Sequence, residues 1–207
     1  MNIYLVRHGE TEQNKRKNFY GKLDVGLNEN GEDQSYKIGE LLKNIKFNKV
    51  YISDRKRTNE TAEIILHRNK FYKKEKNIVC RESRINELDF GIFEGKSYEE
   101  ICSLYPDQQK NWEKDWKNFV IPNGESAVAF YNRVKEFMID IKKQKDGDYL
   151  VITHGGVIRM IYSYILQNNI DLYWNFASRN GDITLIKYEY HNLFIDYILP
   201  TNLIINN

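Results

Sequence analysis

The sequence predicts an α/β domain built on a mainly parallel sheet, and three observations carry that prediction. Short β-branched or aromatic segments alternate with segments of helical periodicity through most of the chain. Asp148 to Thr153 is an apolar run of the kind that a sheet buries on both faces. Two histidine-bearing segments, VRHGE at 6–10 and ITHGG at 152–156, each follow directly on a predicted strand, where open α/β sheets bind ligands.

In chain order, Asn2 to Val6 alternates as a strand. Residues 8–30 are rich in Gly, Asn, Asp and Lys without helical periodicity, which predicts a long and therefore functional loop. From Glu32, Tyr36, Ile38, Leu41, Leu42 and Ile45 recur at helical spacing. Lys49 to Ile52 is a second strand, Arg57 to His67 a helix and Asn77 to Cys80 a third strand, with KFYKKEK at 70–76 as a solvated connector. Ser97 to Tyr105 is helical, since Ser97 and Glu100 have capping-box spacing, and Pro106 ends it. DQQKNWEKDWKNF at 107–119 admits a helix but is very polar for its two tryptophans. Ser126 to Lys143 is an amphipathic helix, and Gly156 to Gln167 another. Ile183 to Tyr190 and Leu193 to Leu199 form a hairpin-like pair at the C-terminal edge, whose edge pairing would suit a homodimer.

A length of 207 residues suits one domain spanning 1–207, and 41% hydrophobic with 29% charged residues supports a sizeable core. Thirty-one basic and 29 acidic residues leave a net charge of +2, so no general affinity for nucleic acid or anionic membrane is expected. Anion recognition must then come from a few focused residues. No signal-peptide pattern follows Met1, and Val157 to Leu166 is too short and too interrupted, by Arg159 among others, to span a bilayer. Cys80 and Cys102 cannot form a disulfide framework or a tetrahedral metal site. A cytoplasmic location is the default expectation.

Arg7 and His8 end the first strand, His154 ends the apolar one, and Arg57 lies a few residues after the second. Three distant segments thus bring two imidazoles and two guanidiniums to one sheet edge. Adjacent cations repel a metal, and the third His or carboxylate ligand is missing, so no metal is expected. Arg is planar, always charged and bidentate towards phosphate. Two of them neutralise the equatorial oxygens of a phosphoryl group, and neutral imidazole is a competent nucleophile towards phosphorus.

RHGET at 7–11, YGKLDVGLNENG at 20–31, SDRKRTNETA at 53–62, NELDFGIFEG at 86–95 and THGG at 153–156 together resemble the histidine phosphatase superfamily. That group includes phosphoglycerate mutases, fructose bisphosphatases and alpha-ribazole phosphatases. The blocks run in the family's order and span about three quarters of the chain. The resemblance implies a three-layer α/β sandwich with a central, mainly parallel sheet flanked by helices. It makes His8 the nucleophile that forms a phosphohistidine, and Arg7, Arg57 and His154 the rest of the phosphate pocket, His154 donating as imidazolium. Glu87 becomes the general acid, Asn14 and Gly21 lining residues, and Gly155 a backbone contributor; no cofactor is implied. The spacing to Thr61 and Ala62 selects Arg57, with Arg55 as the alternative. Glu82, Asp89 and Glu94 read as solvated neighbours of Glu87, whose pKa must sit above the usual ~4.3 to act as an acid at neutral pH.

A mutase holds its phosphohistidine away from water, and the mutases of this family carry extra segments between acid and second histidine. Only 66 residues separate Glu87 from His154, which favours a phosphatase acting on a small phosphorylated metabolite. ELDFGIFEGKSYEEI at 87–101 and IPNGESAVAFYNRV at 121–134 look most like alpha-ribazole phosphatases. Phosphoglycerate mutase, broad-specificity phosphatase and, remotely, a non-catalytic binding module are the alternatives. Trp112, Trp116 and Phe119 either form an aromatic lid or anchor their helix to the core, the second being favoured.

Overall fold

The computed structural model describes residues 1–72 and 78–201. Among these, six strands form one sheet in the order β3-β2-β4-β1-β5-β6: β1 (Asn2–Arg7), β2 (Phe47–Ile52), β3 (Val79–Arg81), β4 (Asp148–Thr153), β5 (Ile183–Glu189) and β6 (Asn192–Leu199). The pairs β3–β2, β2–β4 and β4–β1 are parallel, whereas β5 and β6 add an antiparallel edge. The expected C-terminal hairpin is therefore present, its two-residue turn formed by Tyr190 and His191 at φ 50° and 62°.

Strand alternation divides the core in two. Ile3, Leu5, Tyr149 and Val151 face one layer, and Val6, Leu150 and Ile152 the other. Helices α2 (Glu29–Leu42) and α3 (Lys56–Arg68) cover the second layer. Helices α6 (Ala127–Ile141) and α7 (Gly155–Gln167) cover the first, completing the three-layer sandwich. With helices on both faces, β4 has no solvated side and reads as an unbroken apolar run.

The departures from expectation are local. The 8–30 stretch is not all loop: Thr11 and Asn14 close a capping box that nucleates a four-residue helix, α1 (Glu12–Lys15), too short to show periodicity. Asn28 caps α2 through Gly31 N, so that helix starts at Glu29 rather than Glu32. Pro106 ends α4 (Tyr98–Leu104) but also opens α5 (Pro106–Lys114), where its missing N–H costs nothing. β3 starts at Val79; the connector expected at 70–76 and the strand start expected at Asn77 fall largely on 73–77, outside the described residues.

What positions the site is register. Arg7 pairs with Thr153, and Ile52 with Ile152, so the carboxyl ends of β1, β4 and β2 finish level. Among the described residues no helix is long and apolar enough to cross a membrane.

Candidate active site

His8 leaves β1 with its backbone N–H still bonded to Thr153 O at 2.9 Å. Its side chain is buried, and Nδ1 lies 2.7 Å from Gly9 O. A carbonyl only accepts, so Nδ1 carries the proton and Nε2 keeps its lone pair. Burial, then the charges of Arg57 and Arg7, hold the His8 pKa well below the usual imidazole range. The ring is neutral at neutral pH.

Two guanidiniums flank it. Arg57, in the first turn of α3, is fully buried. Its Nε donates to His154 Nδ1 at 3.2 Å, Nη1 to Leu23 O at 3.1 Å and Nη2 to Gly21 O at 3.0 Å, while Tyr20 lies under it at 4.5 Å. Three of five N–H groups are thus committed, leaving one on each Nη for a ligand. Thr61, one turn along the same face, accepts from Gly9 N at 3.1 Å and ties the two motifs together. Arg7 donates through Nη1 to Ser178 O, and its buried Nε has no partner. Burial lowers both guanidinium pKa values and Glu87 opposes the shift, so both remain charged. Gly155 leaves room for Arg7: a Cβ there would stand 3.1 Å from Cζ.

Glu87 comes from the segment before α4 and reaches the N-terminus of α7. Its Oε2 accepts from Gly156 N and its Oε1 from Leu88 N, both at 3.0 Å. Arg133 of α6 fixes the backbone beneath it, donating to Glu87 O at 3.0 Å and to Asn86 O at 2.6 Å. Asn14 Oδ1 accepts from Thr11 N, Tyr20 Oη and Asn180 Nδ2, so its amide nitrogen is turned to the pocket as a donor.

Three expectations are corrected. His154 is not an imidazolium lining the pocket. It is fully buried behind Arg57, with Nδ1 accepting from that guanidinium and Nε2 donating to Ser53 Oγ at 2.7 Å. Burial, then Arg57 and His8, hold its pKa well below the usual range, because a second charge beside a desolvated guanidinium is disfavoured. Gly21 does not line the pocket either: its carbonyl holds Arg57, and its N–H is taken by Glu94. Glu94 in turn is no solvated neighbour but an acceptor for four backbone N–H groups. Of the two arginines, Arg57 lines the pocket, whereas Arg55 is the N-cap residue of α3 and outside the pocket lining.

Above Arg7, His8 and Glu87 lies a pocket of about 190 Å³. Phe19, Trp112, Trp116, Phe119, Tyr173 and Trp174 make its aromatic wall. Trp116 stacks on Tyr173 with centroids 5.7 Å apart and also packs against the core. Anchor and pocket wall are therefore the same residues. Arg159 stands among these rings, 5.6 Å from Tyr173 and 5.7 Å from Trp174, its buried Nε without a partner. In the sequence it was legible only as a charge interrupting an apolar helix; Ser53 and Arg133 fell inside quoted blocks without a role, and Asn180 carried no signal, because their partners are far away in the chain.

A parallel sheet edge presenting a neutral imidazole between a buried and a half-buried guanidinium is an anion site of the type that phosphoryl transfer requires. Residues 3–198 match the histidine phosphatase superfamily (branch 1), and the chain belongs to that family. It is 31% identical to phosphoserine phosphatase 1 of Hydrogenobacter thermophilus over 90% of this chain and 86% of that protein. It is 29% identical to the adenosylcobalamin/alpha-ribazole phosphatase of Salmonella typhimurium over 87% of each. The crystal structure of the alpha-ribazole phosphatase from Shigella flexneri superposes with a TM-score of 0.87 over 100% of both chains, at 24% identity.

Proposed function

We propose that this member of the histidine phosphatase superfamily is a phosphomonoesterase that works through a phosphohistidine on His8. The observation that carries the reading is the His8 ring: Nδ1 donates to Gly9 O, leaving a neutral Nε2 beside Arg7 and Arg57. Nε2 attacks phosphorus while the ester P–O bond breaks, and the two guanidiniums and the Asn14 amide neutralise the phosphoryl oxygens. Glu87 supplies the proton that the leaving alkoxide needs, and then takes one from the water that attacks the phosphohistidine. Inorganic phosphate and His8 are released. His154 acts from behind, fixing Arg57.

The substrate we favour is alpha-ribazole 5′-phosphate. The aromatic wall beside the phosphate end supports a planar apolar leaving group, in keeping with the Salmonella relative, an adenosylcobalamin/alpha-ribazole phosphatase. A second reading, a phosphorylated amino or hydroxy acid such as phosphoserine, is supported by Arg159, a guanidinium in the wall with no carboxylate partner among the described residues. Turnover of alpha-ribazole 5′-phosphate, phosphoserine and 3-phosphoglycerate, the last with and without 2,3-bisphosphoglycerate, tests the proposal. Phosphate release with alpha-ribazole 5′-phosphate preferred is expected. Isomerisation dependent on the bisphosphate would replace hydrolase with mutase, and unchanged turnover by His8→Ala would end the mechanism.

A further inference from the structure

The carboxylate of Glu94 touches no ligand-facing atom, yet it organises one wall of the site. Oε1 accepts from Gly21 N and Lys22 N at 2.9 Å and from Phe90 N at 3.1 Å, and Oε2 accepts from Leu23 N at 2.9 Å. Three successive backbone N–H groups converging on one anion form a nest, with the carboxylate in the place a bound anion would take. No lysine or arginine forms an ion pair with Glu94 among the described residues, so those backbone donors are its main compensation.

Turning the N–H groups of Gly21, Lys22 and Leu23 towards Glu94 leaves the carbonyls of Gly21 and Leu23 free to face Arg57. They accept from Nη2 and Nη1 at 3.0 and 3.1 Å. The loop also has no slack against the segment that bears Glu87: a Cβ on Gly21 would come within 1.8 Å of Leu88 O. On its far side Phe19 N bonds to Lys96 O, and Gly95 N to Phe19 O, both at 2.8 Å.

We propose that Glu94 is a positioning residue for phosphate binding, acting through the 21–23 loop to hold the Arg57 fork at the angle that meets a phosphoryl group. Glu94→Gln puts an amide donor among four N–H donors and lets the loop carbonyls turn. The inference rests on the phosphatase reading of the site, but its first readout, the binding of inorganic phosphate, needs no turnover.

Inorganic phosphate affinity is measured by calorimetry on the full chain for wild type, Glu94→Gln, Arg57→Ala and the double variant. Glu94→Gln is expected to weaken phosphate by between about tenfold and a hundredfold, the scale of a displaced catalytic group. In the Arg57→Ala background it is expected to do nothing further, since residues acting through one another are non-additive. The ratio of kcat/KM for an aryl phosphate to that for an alkyl phosphate should stay as in wild type, because that ratio reports Glu87 and not Arg57. Additive losses, a changed ratio or an unmoved phosphate constant would each overturn the assignment. If Glu94→Gln does not fold, Glu94→Asp keeps the charge at a shorter reach, and wild-type affinity in that variant overturns the assignment equally. A wild-type chain that binds no phosphate defeats the functional reading along with it.

Discussion

The rings of His8 and His154 meet edge to face with centroids 5.1 Å apart and planes at 64°, at the ends of two neighbouring parallel strands. Both are neutral, and each owes its tautomer to a different acceptor: Gly9 O for His8, Ser53 Oγ for His154. The pair divides the labour. His8 presents a lone pair to the pocket, and His154 turns its lone pair to Arg57.

Neutral histidines make stability depend on pH in a defined direction. The unfolded chain protonates them below about pH 6.5, whereas the folded chain does not. Stability is therefore fully present above that value and falls as pH drops below it towards the folded pKa values. The thermal midpoint should decline between pH 7.5 and 5.5, a window above the carboxylate range, and saturating phosphate should lessen the decline. Turnover of an aryl phosphate should stay level through pH 6.5. A midpoint that rises on acidification would contradict the buried neutral pair.

Arg57→Lys keeps the charge but loses the fork. A single ammonium cannot reach Gly21 O, Leu23 O, His154 Nδ1 and a phosphate together. We expect kcat to fall by about 10²–10³, the loss typical of one missing oxyanion donor, and close to that of Arg57→Ala. A lysine variant within a fewfold of wild type would mean that charge alone matters here.

Glu87→Gln should lower kcat for an alkyl phosphate by about 10²–10⁴, the usual contribution of a general acid, and for an aryl phosphate far less. The leaving group of the aryl ester needs no proton. Equal losses on both substrates would remove Glu87 from the proton transfer.

Gly156→Ala offers the same test from the other side of the contact. A Cβ there would stand 2.2 Å from Glu87 Oε1, so the carboxylate must move. Alanine favours a helix over glycine by about 1 kcal/mol, so the fold should survive. The variant should reproduce the leaving-group dependence of Glu87→Gln; a uniform loss on aryl and alkyl esters would point to a displaced His8 or Arg7 instead.

Arg159→Met separates the two substrate readings. Hydrogen bonds to charged groups contribute about 1.5–3 kcal/mol, so a carboxylate-bearing substrate held by Arg159 should lose tenfold or more in kcat/KM. Alpha-ribazole 5′-phosphate, with a neutral leaving group, should change by only a fewfold. The reverse pattern would assign Arg159 to the nucleoside.

Much of this was legible in the linear chain. Strand and helix alternation, the double burial of Asp148 to Thr153 and the placement of Arg7, His8 and His154 at strand ends follow from local pattern and from the general rule for sheet edges. Side-chain chemistry is likewise written in the residue types, so the five blocks sufficed for the family. Tertiary structure decided what each atom does. Arg57 and not Arg55 lines the pocket, and His154 is buried behind it as a neutral ring, because both outcomes depend on burial beside charges brought from other segments. Glu94 and Gly21 changed roles for the same reason. A hydrogen bond between residues 21 and 94 leaves no trace in either local pattern, since through-space energies depend on distances that only the folded chain sets.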